Sequence, residues 1–508
     1  MKKIGIILSF LFLLLNNTKA DVVLPKIFSD NMVLQRGMKI PIWGWANPGE
    51  RITASLENHS AETVSDADGK WKLFFWPLEA GGPFDFKIEA KNTVLLKNVL
   101  VGEVWVCSGQ SNMALDVSSC NNAQKEIATA NYPQIRLFQV KSAKSSVALS
   151  DVSPIVGQEP NWLNKWQVCS PQTVSNFTGV GYFFAREIWK KYQVPVGIIS
   201  ASWGGTTAEA WVPKDALEND QDLVPILREW PKYNNDEEWL RLEYESFIKD
   251  IEKAHKEGKP EPLYFNQPSV LYNGIIASVV PYGIRGVAWY QGESNTYRAL
   301  QYRKLFPALI KKWRQNWGQG DFPFLFVQLA NYKFEPQVFP ELREAQARAL
   351  SMPETAMVVT IDIGDSVTIH PKNKQEVGKR LSLAASSLAY GEDLVYSGPL
   401  YQSMVIIKGR CQLNFSHIGE GLVAKGGRVL VGFEVAGTDQ HFVKAQAVIE
   451  GGHVVVWSND VPLPLAVRYA WANSPVKCNL YNKSFGQIGL PASPFRTDDW
   501  PGITSNRK

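Results

Sequence analysis

The chain has 508 residues, of which 45% are hydrophobic and 20% charged, with a net charge of +4. That length leaves room for about three domains and a large core, and the composition excludes wholesale disorder. So small an excess of positive charge argues against a nucleic-acid partner, which calls for a more basic surface. Aromatic residues reach 12%, with 18 tryptophans, a content that suits stacking on sugar rings and β-rich cores alike.

Residues 1–20, MKKIGIILSFLFLLLNNTKA, run from a basic start through an apolar stretch to a small residue, Ala20. This is the pattern of a secretory signal cut after Ala20, so the mature protein is expected outside the cytoplasm, periplasmic or extracellular. The apolar run is short for a membrane span, and no later run reaches the required length of about 20 residues, so no membrane insertion is expected once the signal is gone. Five cysteines, Cys107, Cys120, Cys169, Cys411 and Cys478, are too sparse for a disulfide scaffold, and none has zinc-type spacing.

From residue 21 to about 100 the chain reads as short strands, such as KIPIWGWA (39–46) and KWKLFFW (70–76), separated by turn signals at 47–49 and 66–69. A small all-β domain follows from this. The pattern then changes to apolar strands at 103–107, 194–202, 284–290, 324–330 and 357–363, alternating with amphipathic helices at 180–191, 297–317, 342–350 and 375–388. Near-continuous apolar runs predict strands buried on both faces, hence a doubly wound α/β domain over 101–395 with a parallel sheet and its ligand site beyond the carboxyl ends of the strands. A charged helical insertion at about 212–268 interrupts it, read either as a lid or, preferably, as a solvated excursion. From 396 to 508 β-type runs return and predict a second β domain and tail.

The segment EVWVCSGQSNMALD (103–116) ends an apolar strand in a tight polar turn followed by helix-compatible residues. A serine there stands at the sheet's carboxyl edge beside helix N–H groups that favour an anion. Ser111 is therefore a candidate nucleophile as well as a candidate helix cap. Cys107 is a rival placed inside the apolar strand, where a cysteine is usually inert. A serine nucleophile needs a base. Of six histidines, His59, His417, His441 and His453 fall in the β regions and His255 in the insertion; His370 alone follows an α/β strand, in IDIGDSVTIHPKNK (361–374). Asp362 and Asp365 precede it, and either could orient the imidazole, with Asp365 preferred. Oxyanion donors are sought in two further strand-end segments: Gly204 and Gly205 in SWGGTTAEAW (202–211), and Gln291 and Asn295 in WYQGESN (289–295).

GQSNM (109–113), SWGGTTAEAW, WYQGESN and IHPKNK (369–374), taken in this order, resemble the sialate O-acetylesterase family, a branch of the SGNH-type hydrolases. LPKIFSDNMVLQR (24–36) and LYNKSFGQIGLPASPFRTD (480–498) extend the likeness over nearly the whole mature chain. The resemblance implies an SGNH-hydrolase-like doubly wound sheet flanked by N-terminal and C-terminal β domains. It also implies a serine esterase removing acetyl groups from sugar hydroxyls, foremost of sialic acids, through an acetyl-enzyme and without metal or organic cofactor. By matching positions, Ser111 would be nucleophile and hole donor, His370 the base, and Gly205 or Gly204 a second donor. The family's asparagine donor falls in a block where Gln291 and Asn295 compete, Gln291 being preferred for its place nearer the strand end. The family's acid stands three residues before the histidine, where this chain has Val367. An esterase acting on other glycans, such as acetylated xylan, and a non-catalytic carbohydrate-binding protein are the competing readings.

Overall fold

A computed structural model describes residues 21–235, 237–427, 429–484 and 486–505. The expected signal at 1–20 lies outside the described residues. The architecture is mixed α/β, with a large central sheet and several smaller all-β sheets.

The part of the sheet that positions the site contains seven strands. In chain order they are β1 (Thr93–Gly109), β2 (Tyr132–Gln139), β3 (Trp166–Cys169), β4 (Val196–Ser202), β5 (Gly286–Tyr290), β6 (Phe324–Val327) and β7 (Thr355–Val358). Their spatial order is β7-β6-β5-β1-β4-β2-β3, parallel throughout except for β3, which runs antiparallel to β2. Alternate residues of β1 feed two cores. Val104 and Val106 join Phe306, Trp313 and Leu342 on one face, while Trp105 and Cys107 join Phe183, Phe184 and Leu381 on the other. The first set of partners comes from helices α4 (Ala299–Trp317) and α5 (Phe339–Arg348), the second from α2 (Gly179–Tyr192) and α6 (Lys374–Leu388). Burial on both faces explains the unbroken apolar runs of these strands.

The structure departs from the sequence expectation in two places. The boundary expected at residue 100 falls inside β1, a continuous strand of 17 residues. Its first half pairs with Gly81–Glu89 and with Val33–Gln35, its second half with β4 and β5. Strands β2 and β3 have no counterpart in the sequence reading, because polar residues interrupt their pattern. Arg136 of β2 is buried, and its guanidinium is satisfied by the carbonyls of Pro133, Asn31 and Asn98.

The chain beyond residue 396 forms further antiparallel sheets, and it reaches back to the α/β region. Asn473 donates through Nδ2 to the carbonyls of Phe334 and Pro336, and the buried Glu341 accepts from the amides of Ile503 and Thr504. All five cysteines are free thiols, four of them buried. Among the described residues, no helix is long and apolar enough to cross a membrane.

Candidate active site

Strands β4, β1 and β5 end level with one another: Ser202 and Tyr290 are both in register with Gly109. Their three exit loops therefore start side by side. Trp203 N donates to Gly109 O at 3.0 Å and Gln110 N to Tyr290 O at 3.0 Å. Gly109 has φ +132°, and a Cβ there would stand 2.1 Å from the Tyr290 carbonyl oxygen, so only glycine lets the loops meet. Ser111 then opens the short helix α1 (Ser111–Ala114).

The loop after β7 brings in the histidine. Ser111 Oγ and His370 Nε2 are 2.8 Å apart, across 259 positions of sequence. Asn112 ties the two loops together by donating to the Ile369 carbonyl at 2.9 Å. The same side chain accepts from Lys374 Nζ at 2.6 Å and donates to Glu293 Oε1, so a buried lysine and a buried glutamate meet through one amide. Burial, and behind it the charge of Lys374, hold the His370 imidazole below its ordinary pKa. Burial brings Lys374 itself down to about 8. Burial also raises the Glu293 carboxyl, with the Asn112 hydrogen bond and the Lys374 charge pulling the other way.

Neither aspartate reaches the imidazole. Asp365 Oδ1 accepts from the amides of Val367 and Thr368 at 2.8 and 3.3 Å and closes its own turn. Asp362 is held by Arg380 in a two-pronged ion pair at 2.7 and 2.8 Å and accepts from the Tyr481 hydroxyl. Burial pushes the Asp362 carboxyl up, but the bonds and charge of Arg380 outweigh it and leave the pKa lowered. Val367, at the family's acid position, is 88% exposed. Among the described residues no carboxylate is bonded to His370, so the geometry is that of a serine–histidine pair beside a buried cation.

The glycine loop lies where the sequence puts it. A Cβ on Gly204 would stand 3.4 Å from Ser111 Cβ, and Gly205, at φ +72°, lies under the ring of Trp239. Among the described residues no protein acceptor takes the amide of Gly204 or Gly205. The two amide side chains named from sequence are placed otherwise. Gln291 Nε2 donates to Thr206 O and Asn295 Oδ1, and its Oε1 accepts from the Tyr302 hydroxyl. Asn295 Nδ2 donates to Glu209, which is itself paired with Arg298. Both are fully buried and brace the glycine loop from behind. A buried amide must be satisfied internally, and these are. The side-chain amide on the pocket wall is Gln110, whose Oε1 accepts from Gly292 N at 3.1 Å.

Ser111 and His370 open into a cavity of about 470 Å³. Tyr332, Phe334 and Phe339 line one part of it; Tyr332 and Phe334 stack at 6.3 Å between centroids. Glu237 and Trp239 line another, at the start of α3 (Glu238–Lys256), with the Trp239 indole N–H donating to Glu237. The start of the insertion helix is thus part of the pocket wall, while the rest of α3 faces solvent, with only Leu240 and Ala254 buried. Sequence reading missed Glu237 and Trp239, together with Glu293, Lys374 and Gln110. The last three sit inside GQSNM, WYQGESN and IHPKNK, beside serine, glycine and histidine residues whose chemistry is the more apparent; Trp239 and Glu237 carry no local signal.

Residues 101–387 match the family model described as carbohydrate esterase, sialic acid-specific acetylesterase. The chain is 32% identical to the sialate O-acetylesterase of Mus musculus, over 92% of this chain and 93% of that one. It is 30% identical to the human sialate O-acetylesterase over 94% and 93%. A solved structure, a carbohydrate acetylesterase from Xanthomonas citri, superposes with a TM-score of 0.81 at 35% identity, covering 94% of this chain and all of that one.

Proposed function

The chain belongs to the carbohydrate esterase family of sialic acid-specific acetylesterases, and from that premise we propose that it hydrolyses O-acetyl esters on sugars with Ser111 as nucleophile and His370 as base. The observation that carries this reading is the 2.8 Å contact between Ser111 Oγ and His370 Nε2 at the floor of an open cavity. His370, whose burial and the nearby Lys374 charge favour the neutral ring, takes the Ser111 proton as Oγ attacks the acetyl carbonyl. The oxyanion is received by the amides of Ser111 and of the Gly204–Gly205 turn, with Gln110 as the side-chain donor. Collapse passes the proton to the departing sugar oxygen and leaves an acetyl-enzyme. Water, deprotonated by His370, then releases acetate and restores Ser111.

The names of the relatives make O-acetylated sialic acids the first substrate to assay and acetylated neutral glycans, such as xylan, the second. The basic and apolar pattern of residues 1–20 supports an exported enzyme, periplasmic or extracellular. The test is acetate release from acetylated sugars and from an aryl acetate by the wild type and Ser111→Ala. Hydrolysis lost in the variant supports the assignment; an equally active variant, or an inert wild type, ends it.

A further inference from the structure

Resting on the esterase reading above, the charge of the pocket bears on which sugars enter it. The polar side chains that flank Ser111 and His370 on the cavity wall include two carboxyl groups, those of Glu237 and Glu293. Glu293 is 7% exposed, and its Oε2 takes no hydrogen bond from the protein. Among the described residues, no lysine or arginine lines the cavity. Lys374, the cation nearest the reacting pair, is fully buried behind Asn112, with its ammonium against the Tyr290 ring at 5.0 Å. Lys333 lies between the lining residues Tyr332 and Phe334, but it is exposed and is not part of the wall. The rest of the wall is largely aromatic: Trp239, 38% exposed, and Tyr332, Phe334 and Phe339.

Rings that cover an apolar sugar face, together with carboxyl oxygens that accept from hydroxyls, make a site for a neutral sugar. A sugar bearing its own carboxylate meets like charge there and loses water from an anion that finds no cation. We infer that this pocket takes a neutral O-acetylated sugar unit and selects against anionic ones, with Glu237 as the residue that sets the discrimination. This chain would then differ in substrate charge from what its family description names.

The test uses substrate pairs that differ only in charge: O-acetylated N-acetylneuraminic acid against its carboxyl methyl ester, and an acetylated methyl glucoside against the matching glucuronoside. Acetate release is read as kcat/KM at low and high salt. The neutral member of each pair is expected to be better by about tenfold at low salt, with the gap narrowing as salt screens the repulsion. Glu237→Gln is expected to raise kcat/KM for the anionic member relative to the neutral one. Equal or better turnover of the anionic members at low salt overturns the inference while leaving the esterase reading intact, and so does a Glu237→Gln enzyme whose ratio is unchanged. A wild type that releases acetate from none of the four overturns both.

Discussion

Lys374 Nζ donates to Asn112 Oδ1 at 2.6 Å, so the residue after the nucleophile and the first residue of the helix behind the histidine loop are joined inside the protein. In a serine–histidine–aspartate site a carboxylate would favour the protonated imidazole. Here the nearby charge is positive and acts the other way. Removing it should let His370 hold a proton to higher pH. Since the base must be neutral to accept a proton, Lys374→Met is predicted to move the acidic limb of the kcat/KM profile upward. A titration with an aryl acetate measures it, and a limb that stays in place shows that the lysine charge is not felt at the imidazole.

Ser111→Ala and His370→Ala should each lower kcat by about 10⁴-fold or more, since the pair acts as a unit. Circular dichroism and Tm should stay near wild type, because neither side chain anchors a core element. A variant that folds and keeps a tenth of the activity would displace that residue from its role.

The two aspartates are predicted to separate by what fails. Asp365→Ala removes only the acceptor of its own turn, and kcat/KM should stay within about threefold of wild type, as expected for a group outside the reacting set. Asp362→Ala takes the two-pronged partner from the buried Arg380 and leaves it only the half-buried Glu376 as a carboxylate, at a cost of up to about 3 kcal/mol in stability. Denaturant unfolding should register that loss. A collapse of activity at unchanged stability in either variant would restore that aspartate as the orienting acid.

Gln110→Ala is expected to reduce kcat by about 10²-fold with little change in KM, as for loss of one oxyanion donor. Gln291→Ala should act first on stability, since it strands the Tyr302 hydroxyl and leaves the Asn295 carbonyl oxygen with the Ala208 amide as its donor, at about 1–3 kcal/mol for the buried group left unpaired. Thermal unfolding run beside steady-state kinetics distinguishes them. The opposite pattern, kinetic loss at Gln291 and none at Gln110, would return Gln291 to the hole.

The Ser111–His370 pairing was legible because both residues follow apolar strands, and parallel topology carries such loops to one edge. The helices were legible for a similar reason: one buried stripe sets the period, so the expected 180–191 and 375–388 lie within a residue of Gly179–Tyr192 and Lys374–Leu388. What stayed hidden depended on partners far away in sequence. Tyr132–Gln139 carries a buried arginine made tolerable in large part by the distant carbonyls of Asn31 and Asn98. Whether Gln291 faces a substrate or the loop behind it was decided by Tyr302 and Thr206, and no spacing rule encodes that choice. Trp239 looks like any aromatic on a charged helix until the fold lays it over Gly205.

The single strand Thr93–Gly109 spans the amino-terminal layer and ends two residues before the nucleophile. The two regions therefore cannot be swapped like beads on a string. Cutting at residue 100 would leave Val33–Gln35, whose partners are Leu100–Gly102, facing a severed end. Whatever the amino-terminal layer contributes to binding, it is also the mooring of the serine.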